Sequence, residues 1–173
     1  MVLYKEFVEN DRNYDSYEDL KKGFKIRIPE NFNFAYDVVD RYAKEEPGKR
    51  ALVWCDDNDE EHIFTFADIS EASKRTANFL TAQGIKKGDA VLLILRRRYE
   101  FWWFIIALHR IGAIAVPATD QLLVKDIEYR ANAASIKMVV SFDEPGVQSE
   151  IEKAKASSPS ITSLVTVGPE REG

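Results

Sequence analysis

The chain has 173 residues, 45% of them hydrophobic and 12% aromatic, which is enough apolar mass for one packed domain and excludes intrinsic disorder. Its net charge of -5 gives no general attraction to nucleic acid or to an anionic membrane. One cysteine, Cys55, excludes an intramolecular disulfide, and with only two histidines it cannot complete a typical structural zinc site. No metal site and no nucleic-acid partner are expected, and a reducing, cytoplasmic location is.

Residues 1–33 show one short helical candidate, Tyr17 to Gly23, and otherwise lack a clean period, so they read as an N-terminal extension. Met1 to Asp15 intersperses charges among its apolar residues and offers no apolar core for a secretory signal, so export is not expected. From Phe34 the spacing of Val38, Val39 and Tyr42 predicts a helix over Ala35 to Glu45, ended by Pro47-Gly48. Ala51 to Cys55 and His62 to Thr65, separated by Asp56-Asp57-Asn58-Asp59, predict a β-hairpin. Thr65 and Asp68 then form a capping box for a helix whose face is Phe66, Ile69, Ala72, Thr76 and Leu80, closed by Gly84.

Beyond Gly84 strands and helices alternate. Strands are expected at Ala90–Leu95, Ala113–Val116, Lys137–Phe142 and Ile161–Val167, with helices at Tyr99–Arg110, Val124–Ala134 and around Ile151–Ala156. The unbroken apolar run Val91 to Leu95 predicts a strand covered on both faces. The fold class is therefore α/β, a mostly parallel doubly wound sheet with helices on both faces, plus the N-terminal extension and the hairpin. The aromatic run Phe101 to Phe104 continues only to Leu108, short of the ~20 apolar residues of a membrane span, and is expected to be buried on more than one side. Residues 168–173 read as a surface loop.

Candidate chemistry is sparse. The glycines form neither GxGxxG nor GxxxxGK[ST], so nothing between Asp120 and Gly173 makes a phosphate loop. Arg96-Arg97-Arg98 opposes the dipole of the helix that follows, which is accounted for by a local partner such as Glu100, a subunit interface or an anionic ligand. Cys55, in an apolar strand without a histidine close in sequence, reads as an inert core thiol, and His62 and His109 as structural. No catalytic residue is nominated.

Three motifs in order resemble the N-terminal part of the AMP-forming acyl-CoA synthetases, of the acyl-adenylate-forming (AMP-binding) superfamily. They are Phe64-Thr65-Phe66-Ala67-Asp68-Ile69, Gly84-Ile85-Lys86-Lys87-Gly88-Asp89 and Ile111-Gly112-Ala113-Ile114-Ala115-Val116-Pro117. The likeness is to the short- and medium-chain members, acetyl-CoA synthetases included. It implies a ligation in which a carboxylic acid and ATP, with Mg²⁺, give an acyl-adenylate that CoA then converts to acyl-CoA and AMP. Residues 34–173 would be part of the large α/β domain, a fragment inactive by itself and binding no cofactor of its own. The resemblance also places Asp126 to Ala134 near the CoA nucleotide, where Arg130 is the one residue nominated to contact a CoA phosphate. Its alternative is an i,i+4 pair with Asp126. A second reading of the whole chain is a non-catalytic module that assembles, with itself or a complementary chain, through exposed apolar surface. No membrane partner is expected.

Overall fold

The computed structural model describes residues 3–168, so the loop expected over 168–173 lies, apart from Gly168, outside the described residues. Near the start of the described residues, Val8–Glu9 (β1) pairs antiparallel with Lys25–Ile26 (β2) around the helix Tyr17–Gly23 (α1). Ser16 caps α1 by accepting a bond from the Asp19 amide at 3.1 Å.

The expected helix over 35–45 forms with a different winding. Ala35–Asp40 is a π-helical turn, and only Arg41–Glu45 (α2) is α-helical. The cause lies in Asp40, whose carboxylate sits inside the domain against Arg110 and Ser70. A widened turn lets Ala35 and Val39 face the core while Asp40 makes those bonds, the kind of irregularity a periodicity argument does not register.

The hairpin is Arg50–Cys55 (β3) with Glu61–Thr65 (β4), and the helix Phe66–Ala82 (α3) follows directly. Both capping-box bonds are present: the Thr65 amide donates to Asp68 at 2.8 Å and the Asp68 amide to Thr65 Oγ1 at 3.2 Å. The remaining elements are Ala90–Ile94 (β5), Glu100–Ile111 (α4), Ile114–Pro117 (β6), Val124–Ala134 (α5), Ile136–Phe142 (β7), Pro145–Ala156 (α6) and Ser163–Val167 (β8).

β5 to β8 form one parallel sheet in the order β6-β5-β7-β8. Every residue of β5 is buried, and successive side chains go to opposite faces. Val91 and Leu93 join Leu80 of α3 and Phe104 and Leu108 of α4. Ala90, Leu92 and Ile94 join Ile127 of α5 and Ile151 of α6 on the other side. The sheet is thus doubly wound, as the apolar run predicted. Among the described residues no helix is long and apolar enough to cross a membrane.

The hairpin packs on α4 through rings. Tyr99 lies 5.2 Å from Trp54, 5.1 Å from Phe64 and 5.2 Å from Trp103, centroid to centroid. Of the aromatic run, Phe104 is buried, Phe101 and Trp103 are half-buried, and Trp102 remains 45% exposed. A clasp of opposite charge holds the π-helical turn to the helices. The Arg110 guanidinium, 6% exposed, donates to both Asp40 oxygens at 2.7 and 2.9 Å and to Ser73 Oγ at 2.9 Å.

Candidate functional site

Parallel sheets of this kind bind ligands outside the carboxyl ends of their strands, at the point where the strand order reverses. Here the chain moves from β5 outward to β6 and then back across to β7, so the reversal lies between β5 and β7. A crevice of about 390 Å³ opens there, lined by Arg96, Arg97 and Arg98 after β5, Phe142 at the end of β7, and Trp54, Cys55, Asp56 and Asp57 of the hairpin. A second cavity of about 400 Å³, between the π-helical turn, β3 and helices α3 and α4, has apolar walls and one imidazole, His109. It has no charged group to orient a polar ligand, so the crevice is the candidate site.

The three arginines are held differently. Arg96 has a left-handed backbone, φ 52°, and its Nε lies 3.3 Å from Asp120, in the loop after β6. Arg98 donates to both Glu100 oxygens at 3.2 and 2.6 Å, the local partner the sequence suggested. The Arg97 carbonyl accepts the Trp54 indole N–H at 2.6 Å, which fastens the hairpin to the rim of the sheet. Asp56 is turned into its own loop, accepting the amides of Asn58 and Glu60 at 2.9 Å each, and those bonds hold its pKa below the ordinary carboxylate range.

Cys55 requires a correction: it is exposed at the crevice rim, not a core thiol. It ends β3 and pairs with Glu61, beside His62, whose register partner is Trp54. Linear spacing hid this neighbour because the hairpin, not the sequence, brings it near. His62 accepts or donates at 2.7 Å with Glu60 and packs on Trp54 and Tyr99; His109 stacks edge-on with Phe34. Both are built into packing contacts.

Arg130 does not reach the crevice. It stands six residues into α5, roughly 9 Å along the axis, and α5 covers the sheet face opposite to α4. The expected pair with Asp126 takes another form: Arg130 Nη1 donates to the Asp126 carbonyl at 2.9 Å, while the Asp126 carboxylate accepts the Leu123 amide at 3.2 Å. Among the described residues no group of three or more potential ligands forms a metal site. The contribution of Trp54 and Phe142 was not legible in the sequence; the signal for it was the rule on strand carboxyl ends, applied to the segment following each strand.

Comparison with known proteins agrees with this architecture. Solved structures of a Brucella canis acyl-CoA synthetase (28% identity, TM-score 0.71, covering 82% of this chain and 25% of that one) and of a Mycobacterium tuberculosis fatty acyl CoA synthetase (24%, TM-score 0.70, covering 78% and 26%) share the fold. Among curated proteins, the acyl-coenzyme A synthetase ACSM3, mitochondrial, of Mus musculus is 40% identical over 82% of this chain and 26% of its own length. Its Rattus norvegicus counterpart is 37% identical over 91% of this chain and 28% of its own length. The chain spans about a quarter of the length of these relatives. Their mitochondrial naming overturns the cytoplasmic expectation. Charge and cysteine count report solubility and redox state, whereas an address is a separate feature recognised by receptors. A model of the AMP-binding enzyme family matches residues 39–173, which contain the parallel sheet, its four helices and most of the hairpin's supports, and to that family the chain belongs.

Proposed function

We propose that these residues are the N-terminal part of an AMP-forming acid-CoA ligase acting on short- or medium-chain carboxylic acids, with ATP, Mg²⁺ and CoA as the reactants of the whole enzyme. The observation that carries the reading is the family match over 39–173 together with ACSM3-type relatives at 37 to 40% identity. Within it, residues 1–33 are an extension and 34–173 belong to the large α/β domain. The 173 residues have no glycine-rich phosphate loop and no paired acid and base, so they supply scaffold and not adenylation chemistry. Arg130, half-buried with part of its donor fork uncommitted, is offered to a CoA phosphate.

The test is direct. The 173-residue chain, given ATP, Mg²⁺, butyrate and CoA, is expected to release no pyrophosphate above the protein-free control, and steady acid-dependent release would refute the scaffold reading. Joined to the remainder of a relative such as mouse ACSM3, the chain is expected to support that release. There Arg130→Ala should raise KM for CoA while KM for ATP stays put; an unchanged KM for CoA removes Arg130 from the site. The exposure of Trp102 and Phe34 favours a further reading, self-association through this apolar surface, which a strictly monomeric sedimentation profile at high concentration would exclude.

A further inference from the structure

We infer that the outer edge of β8 is a pairing surface for a second copy of this chain, joined antiparallel across a two-fold axis at Val165 so that two sheets become one. β8 is the last strand in the order β6-β5-β7-β8, so one side of it has no strand beside it among the described residues. The Thr162 amide donates to the Lys137 carbonyl at 2.9 Å. Amides of alternate residues point the same way along a strand, so those of Leu164 and Thr166 also face β7, and those of Ser163, Val165 and Val167 face outward. The Val167 carbonyl is taken by the Asp143 amide at 3.0 Å, so at that position it is the N–H that is offered. Natural sheet edges are blunted by lysine, proline, a bulge or a cover. None of these is present among the described residues of this edge: Ile161 to Val167 holds no charged residue and no proline, the register with β7 is unbroken, and Leu164 and Thr166 are exposed.

The symmetry of the strand identifies the partner as another copy. With Val165 on the axis, Ser163 faces Val167 and Leu164 faces Thr166, so no charges oppose one another and the central pair exchanges both of its N–H bonds. The packing continues as well. Val165 and Val167, half-buried, sit at the margin of the core on the α4 side, and pairing sets a second such margin against the first. The opposite edge of the sheet cannot pair in this way. The Ile114 and Ala118 amides donate to the Asp89 and Leu93 carbonyls at 2.8 and 2.9 Å, so the outward positions of β6 are Ala115 and Pro117, and Pro117 has no N–H. With one competent edge per chain and an isologous contact, assembly closes at a dimer and does not grow into a fibre.

The pairing needs no ligand and no turnover, so its test is independent of the ligase reading. Sedimentation velocity of the 173-residue protein over a concentration series is expected to show monomer and dimer and no larger species. Leu164→Lys puts a charge into the contact and should raise the dimer Kd at least about tenfold, whereas Trp102→Ser, on the exposed apolar side of α4, should leave it unchanged. Val165→Pro removes an outward N–H at an edge position that tolerates proline, and should abolish the dimer while far-ultraviolet circular dichroism is retained. Amide exchange gives a readout free of variants: the Val165 amide is expected to gain protection as the unaltered protein is concentrated, and the Ala115 amide on the opposite edge is not. A strict monomer, open-ended growth, a dimer unmoved by Leu164→Lys or lost in Trp102→Ser, or Val165 exchange independent of concentration overturns the proposal.

Discussion

Replacing Asp40 by alanine tests the claim that an ion pair, and not apolar contact alone, holds the π-helical turn against helices α3 and α4. Asp40 is 25% exposed at its side chain and Arg110 only 6%. Breaking a buried pair from one side costs ~3–5 kcal/mol, chiefly because the surviving charge is left in a poorly solvated place. Two facts move the figure. The partial exposure of Asp40 lowers it, whereas Arg110 Nε is already buried without a partner among the described residues, so the guanidinium would keep Ser73 Oγ and the Tyr36 ring, 5.0 Å away, but no anion. A loss of about 2–4 kcal/mol follows, which for a domain of this size shifts Tm by roughly 5–15 °C. Urea and thermal unfolding read it, and a loss under about 1 kcal/mol would refute the reasoning. The pH dependence gives an independent check. Burial raises the pKa of Asp40, and the bonds from Arg110 and Ser70 outweigh that, so its folded pKa lies below the ordinary value. Its contribution is therefore complete above the ordinary carboxylate pKa and disappears as pH falls through the lowered one. Asp40→Asn should flatten that acid limb. Pairing it with Arg110→Met should recover stability relative to Asp40→Asn alone, because no buried charge then remains.

Two further substitutions separate backbone from packing effects. Gly88 has φ 86° and an added Cβ would meet nothing within 4 Å, so Gly88→Ala should cost about 1–2 kcal/mol through conformation alone, and Gly88→Asn less; equal losses in urea unfolding would argue against this. Thr65→Ala removes the capping acceptor for the Asp68 amide and should lower stability by about 1 kcal/mol, with amide exchange accelerated in the first turn of α3; unchanged exchange there would show that the cap is dispensable.

The parts of the fold legible in the sequence are those whose signal is local. The capping box at Thr65 and Asp68, the helix over Val124–Ala134 and the fully buried strand around Val91 each follow from residues within one turn or one strand of each other. The π-helical turn was illegible because its cause is Arg110, 70 residues from Asp40. The same distance problem governs the candidate site. Arg96 to Arg98 invite attention in any linear reading, but their meaning depends on which of them are already satisfied. That is decided by Asp120, in the loop after β6, and by Glu100, while Trp54, 43 residues upstream, fixes only the Arg97 main chain. Family likeness nominated Arg130, and spacing gave only its alternative, a pair with Asp126, whereas the sheet topology favours the segment after β5. The two nominations are physically separable, since Arg97 stands at the carboxyl end of β5 and Arg130 on α5, over one face of the sheet. A ligand whose binding responds to Arg97 and not to Arg130 reports the crevice, and one that responds to Arg130 alone reports the α5 face.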